Sequence, residues 1–185
     1  YGNTCRCENP SQPVRVVLDT RLRIPMESRL VQTAREVPVI VFCYAPDKDK
    51  KAALEAAGVT VLEAKLLPKE ELDELFMQLG EFQLSKEELN GRHISLRNCL
   101  EQLGQRGLDS VLIEGGATIH AAALQENCCD LVQVYVAPKL FGGDGLSPIG
   151  GMGITAPDKA VLLSEPTITR LGQDLLLEYT RKEQF

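Results

Sequence analysis

Val37-Pro38-Val39-Ile40-Val41-Phe42-Cys43-Tyr44 is a β-rich apolar run closed by the turn Ala45-Pro46-Asp47. What comes next decides how that run is used. Residues 48–57 are helix formers, Gly58 stops them, and residues 59–63 make another short β-rich run. A strand that returns through a helix to a second strand is the unit of a parallel sheet. Upstream, residues 13–19, centred on Val14-Arg15-Val16-Val17-Leu18, read as a further buried strand ending in Asp19-Thr20. The class is therefore α/β, with a mostly parallel sheet flanked by helices.

Downstream of residue 63 the character changes. Residues 65–90 are rich in Glu, Leu and Lys, with Leu72, Leu75, Phe76 and Leu79 at helical spacing, and read as a surface helical excursion. The stripe suits a cover for the sheet edge or a subunit contact. Residues 96–104 predict a helix, 110–113 a short buried strand, 117–125 a helix of small residues, and 131–137 a strand broken by Pro138. A glycine-dense loop covers 142–153. Residues 160–165, 167–171 and 174–181 read as strands, and Leu171-Gly172-Gln173-Asp174 joins the last two as an antiparallel hairpin at the sheet edge. No internal repeat or low-complexity linker interrupts the chain, which is expected to form one domain over residues 1–185.

With 185 residues, 44% of them hydrophobic, the chain can bury a core. The net charge is −6 and the basic residues are scattered, which argues against a nucleic-acid partner. The longest apolar runs are too short to span a bilayer, and no charged-then-apolar leader opens the chain, so no membrane role and a cytoplasmic setting are expected. Six cysteines invite a metal reading, but Cys5-Arg6-Cys7 and Cys128-Cys129 lack the gap of a zinc knuckle, and His93 and His120 lie near neither pair. No metal is expected. Cys43 and Cys99 fall on apolar faces, as reduced thiols acting as small hydrophobes.

The chemistry is expected at Ser110-Val111-Leu112-Ile113-Glu114-Gly115-Gly116-Ala117-Thr118-Ile119. A turn through two glycines into a helix leaves N–H groups unpaired at the positive end of the helix dipole, a seat for phosphate. Gly115 and Gly116 let a pyrophosphate approach the backbone, Thr118 adds a hydroxyl, and Glu114 lies where open α/β sheets place their ligands. The same residues also suit a tight structural turn with Glu114 as its cap. Neither G-x-G-x-x-G nor a P-loop is present. Asp19 suits a ligand contact or a turn. Lys139, Gly142 and Gly143 suit a loop over cofactor phosphates or a structural turn, and a helix histidine such as His120 is more often packed than catalytic.

In its ordered motifs the chain resembles the reductase domain of the RibD-type bifunctional deaminase/reductase of riboflavin biosynthesis. Thr4-Cys5-Arg6 is similar to the family's Leu-Thr-x-Arg segment, with Asn3 where the family has Leu. Pro13-Val14-Arg15-Val16-Val17-Leu18-Asp19-Thr20 resembles PxRVVLDS, residues 110–118 resemble the start of SVLVEGGxTL, and residues 130–143 resemble DELxxYxAPKLLGG. The resemblance implies a dihydrofolate-reductase-like fold and an NADPH-dependent reduction of the ribosyl group of 5-amino-6-(5-phosphoribosylamino)uracil to ribityl, by hydride delivery to C1′ held as an imine. It implies cofactor contacts from Thr20, Gly116, Ala117, Thr118, Ile119, His120, Ala121 and Ala122. It also implies substrate contacts from Asn3, Arg6 and Glu114, with Glu114 the catalytic candidate. Arg21 and Arg23, just past Thr20, are the nearest cations for the 2′-phosphate of NADPH. The family's first strand and helix are expected to be lacking from residues 1–185. The expected partners are a small pyrimidine ribose phosphate and a second copy in a homodimer. The alternative is a catalytically incomplete nucleotide-binding or assembly module.

Overall fold

The computed structural model describes residues 12–67, 93–152 and 154–180, which fall into two compact units. The first unit carries residues 12–67 and 93–107, and the second carries the described residues from 108 onward. The expected helical excursion lies, from residue 68 to its end, outside the described residues.

In the first unit β1 (Arg15–Leu18), β2 (Val39–Cys43) and β3 (Thr60–Glu63) form a parallel sheet in the order β1-β2-β3. Registers run Arg15 to Val39 and Ile40 to Thr60. Two helices make the crossovers, α1 (Arg29–Gln32) and α2 (Lys48–Ala56). Each starts on a side chain that accepts an orphan N–H: Ser28 Oγ from Val31 at 3.4 Å, and Asp47 Oδ1 from Lys50 at 2.9 Å. All five residues of β2 are buried, as a central parallel strand covered on both faces must be. Val39, Val41 and Cys43 join Leu22, Ile24, Val31, Leu54 and Val61 in one core cluster. By strand alternation Ile40 and Phe42 turn to the other face. α3 (Leu96–Gly104), capped by Ser95 Oγ on Asn98 N–H at 3.2 Å, carries a buried stripe of its own, Leu96, Cys99 and Leu103. Gln102 Nε2 donates to Glu63 O at 3.0 Å and ties α3 to the end of β3. The sequence did not predict α1, a helix too short to show a period.

In the second unit α4 (Ala117–Gln125) is followed by β4 (Leu131–Val136), β5 (Thr167–Leu171) and β6 (Asp174–Thr180), an antiparallel sheet in the order β4-β6-β5. The expected hairpin is present, with Leu171 opposite Asp174 across a two-residue loop. Two expected strands are not. Residues 110–113 form no strand, and Leu112 is 73% exposed. A β-rich run becomes a strand only when a neighbour takes up its backbone hydrogen bonds, and none among the described residues does so. Residues 160–165 stay irregular, with only Leu163 at a bridge position. Ser164 docks this segment to β6, donating its N–H to Thr180 O at 2.8 Å and accepting from Thr180 N–H through Oγ at 3.0 Å.

Candidate functional site

The carboxyl edge of the parallel sheet is stitched past the strand ends. Asp19 N–H donates to Phe42 O, Tyr44 N–H to Thr20 O and Ala64 N–H to Cys43 O, each at 2.9 Å. Thr20 is half-buried at this edge, where open α/β sheets place ligands. Asp19 is a turn residue: its carboxylate accepts Ile24 N–H at 2.7 Å and its carbonyl accepts Leu22 N–H at 2.8 Å. These bonds hold Leu22 at φ 53 with its side chain only 3% exposed. A leucine in the left-handed region costs about 1–2 kcal/mol, offset here by burying Leu22 and Ile24. The alternation leaves Arg21 and Arg23 exposed together on the outer face of the loop. Nearby, burial first and the Glu63 carboxylate second push the Cys43 thiol up to about 11. Lys51 Nζ lies 3.0 Å from Glu63 Oε1, a hydrogen bond that raises the lysine's pKa.

In the second unit the start of α4 differs from the other α-helix starts among the described residues. Its N-cap is Gly116, at φ 66, and no side chain caps it. A Cβ built on Gly115 or Gly116 would meet nothing within 4 Å, so the glycines front open space. First-turn N–H groups without a side-chain cap, the dipole's positive end and room at the backbone together suit a phosphate group. Gly116 and Thr118 are exposed, Ala117, Ile119, His120 and Ala122 are half-buried, and Ala121 is buried. Glu114 is exposed immediately ahead of the glycines. The His120 ring bridges two carbonyls, with Nδ1 2.8 Å from Pro148 O and Nε2 3.3 Å from Ile113 O. The glycine-dense loop returns to the same helix turn, where Gly150 N–H donates to Ala117 O at 2.9 Å. Lys139 sits in a local turn, its N–H bonded to Ala137 O at 2.8 Å.

Thr20 thus belongs to the first unit, and Glu114 with 116–122 to the second, while Asn3 and Arg6 lie outside the described residues. Sequence reasoning missed the Leu22 conformation and both ties to the 142–153 loop. No local pattern encodes a bond between residues some thirty positions apart. Among the described residues no group of three or more His, Cys, Asp or Glu is placed to hold a metal ion, and no helix is long and apolar enough to cross a membrane.

Residues 2–177 match the RibD C-terminal domain family. The chain belongs to that family. The riboflavin biosynthesis protein RibD of Actinobacillus pleuropneumoniae is 34% identical over 175 residues, covering 94% of this chain and 40% of that protein. The 2,5-diamino-6-ribosylamino-4(3H)-pyrimidinone 5′-phosphate reductase of Methanothermobacter thermautotrophicus is 29% identical over 171 residues, covering 92% of this chain and 67% of that protein. Among solved structures, Acinetobacter baumannii RibD superposes with a TM-score of 0.67 at 25% identity, over 94% of this chain and 39% of that one. The chain therefore spans about 40% of the length of RibD relatives such as the Actinobacillus protein. As a RibD C-terminal domain it has an α/β, dihydrofolate-reductase-like fold with a parallel and an antiparallel sheet.

Proposed function

We propose that this RibD C-terminal domain reduces the ribosyl group of 5-amino-6-(5-phosphoribosylamino)uracil to ribityl at the expense of NADPH. The observation that carries the reading is the match to a relative named as a pyrimidinone phosphate reductase, most of whose length the chain covers. That relative favours an enzyme over a bare binding module. The α4 start fits the cofactor: the space beside Gly115 and Gly116 and the first-turn N–H groups accept a pyrophosphate.

In this reading 116–122 and Thr20 hold NADPH, with the Thr118 hydroxyl as a further donor, and Arg21 and Arg23 give the 2′-phosphate its cations. When bound, the reduced nicotinamide supplies the hydride, which goes to C1′ of the ring-opened ribosyl imine while a proton goes to its nitrogen. Glu114 accepts N–H or O–H bonds from the sugar or pyrimidine and fixes its angle of approach, and Arg6 forks onto the 5′-phosphate. Loss of nicotinamide absorbance on adding the ribosylamino-pyrimidine phosphate tests this. Glu114→Gln is expected to lower kcat by about a hundredfold, and replacing Arg21 and Arg23 by Gln to raise KM for NADPH but not for NADH. If wild-type protein gives neither turnover nor a thermal shift with NADPH, the reading fails.

A homodimer and a cytoplasmic setting belong to the same proposal. Val134, Leu177 and Ile168 lie opposite one another on one face of the antiparallel sheet, flanked by Val132, Val136 and Leu175. Ile168 is 62% exposed on this face, which suits a second copy. The buried, free thiol of Cys43 suits a reducing compartment. Sedimentation is expected to show a dimer that Val134→Asp with Ile168→Asp converts to monomers; a wild-type monomer at every concentration refutes the dimer.

A further inference from the structure

We propose that His120 is a positioning residue whose protonation state sets the hold on the Ile113–Glu114 segment. Both oxygens that face its ring, Pro148 O at 2.8 Å and Ile113 O at 3.3 Å, are main-chain carbonyls and can only accept. A neutral imidazole has one N–H and one lone pair, so it satisfies one oxygen and sets its lone pair against the other. Only the imidazolium donates to both.

The two contacts are not equivalent. The Pro148 bond is the shorter, so the neutral ring keeps its proton on Nδ1 and gives up Ile113. The loop also has a second tie to α4, the Gly150 N–H to Ala117 O bond. A Cβ on Gly150 would stand 3.2 Å from that oxygen, tighter than an ordinary contact, so the approach favours a glycine. Residues 110–113, in contrast, pair with no strand among the described residues. Deprotonation therefore loosens the segment that leads into Glu114 and leaves the loop seated. Besides His120, the titratable side chains on these pieces of chain are Asp109 and Glu114 ahead of the helix and Asp144 in the loop; α4 itself has none.

The consequence for turnover rests on the reductase reading, and the physical claim does not. The backbone carbonyl carbon shift of Ile113 is to be followed by NMR on the whole chain as the His120 ring is titrated. It is expected to move as the ring loses its proton and the hydrogen bond to that oxygen, with the Gly150 amide unmoved. His120→Asn, which can donate near the Nδ1 position but cannot titrate, is expected to hold the Ile113 shift at its unbonded value at every pH. No step at Ile113 in the wild type, or an equal step at Gly150, overturns the proposal. In turnover the wild type is expected to show a kcat limb over the same pH range, absent from His120→Asn; a limb that persists in the variant also overturns it. If the wild type has no turnover at all, the reductase reading falls and the Ile113 carbonyl shift alone decides the role of His120.

Discussion

Val39-Ile40-Val41-Phe42-Cys43 of β2 and Leu131-Val132-Gln133-Val134-Tyr135-Val136 of β4 are strands of similar apolar content. Every residue of the first is buried, whereas in the second every residue but Val132 is exposed. The contrast extends to the two units. Among the described residues the large, fully buried side chains, from Phe42 and Leu54 to Leu103, lie in the first, and the exposed large hydrophobics lie from Val111 onward. Apolar sequence makes a strand, but it does not say what covers it. In β2 the cover is local, since both crossover helices and α3 are encoded within the same unit. In β4 and its neighbours the described residues of the same unit supply no comparable cover.

The largest test of the contrast is a pair of truncations. Phe42→Ala is expected to cost about 3–5 kcal/mol, while Tyr135→Ala, at a residue 64% exposed, is expected to cost under about 1 kcal/mol. Urea unfolding compares them, and equal losses would erase the distinction between the sheets. Next in size is the pH dependence of the buried thiol. Raised from 9.0 to about 11, Cys43 stays protonated in the folded state after the unfolded chain has begun to ionise. The folded state then binds more protons, so stability is unaffected below pH 9 and falls by on the order of 2 kcal/mol as pH rises toward 11. Cys43→Ser is expected to remove that slope, and alkylation of native protein at pH 8 is expected to reach Cys128 and Cys129 long before Cys43. The smallest effects are at helix starts. Ser95→Ala is expected to cost about 1 kcal/mol through the lost cap. Gly116→Ala, forcing φ 66 on a residue with a Cβ, is expected to cost about 1–2 kcal/mol and, unlike Ser95→Ala, to weaken NADPH binding in a thermal-shift titration.

These tests also mark what could be read from the chain. Helices α3 and α4 were legible to their end residues because local rules specify them: Ser95 caps one, and the double glycine opens the other. The hairpin was legible from Gly172-Gln173 between two β-rich runs. Residues 110–113 were not, because strand propensity is local and strand pairing is not. The candidate site divides the same way. Thr20 at a strand end and Gly116 at a helix start follow from sequence, and family membership is carried by ordered motifs. The bridging ring of His120 and the Gly150 tie join distant residues, and the conformation of Leu22 is stabilised by an Asp19 bond and by core burial that no neighbouring residue announces.

The order β4-β6-β5 has a consequence for synthesis on the ribosome. β4 is made before β6, its partner among the described strands, and everything from Ala137 through the β5–β6 turn must be made before that partner exists. At roughly 5–20 residues per second, Leu131–Val136 waits for seconds as an apolar strand with an open edge, a template for pairing with another nascent chain. Once β6 emerges, the two-residue hairpin closes in about microseconds. The interval of greatest aggregation risk is thus set by translation speed across the glycine-dense loop, so slow codons there are expected to lower soluble yield more than slow codons before β1.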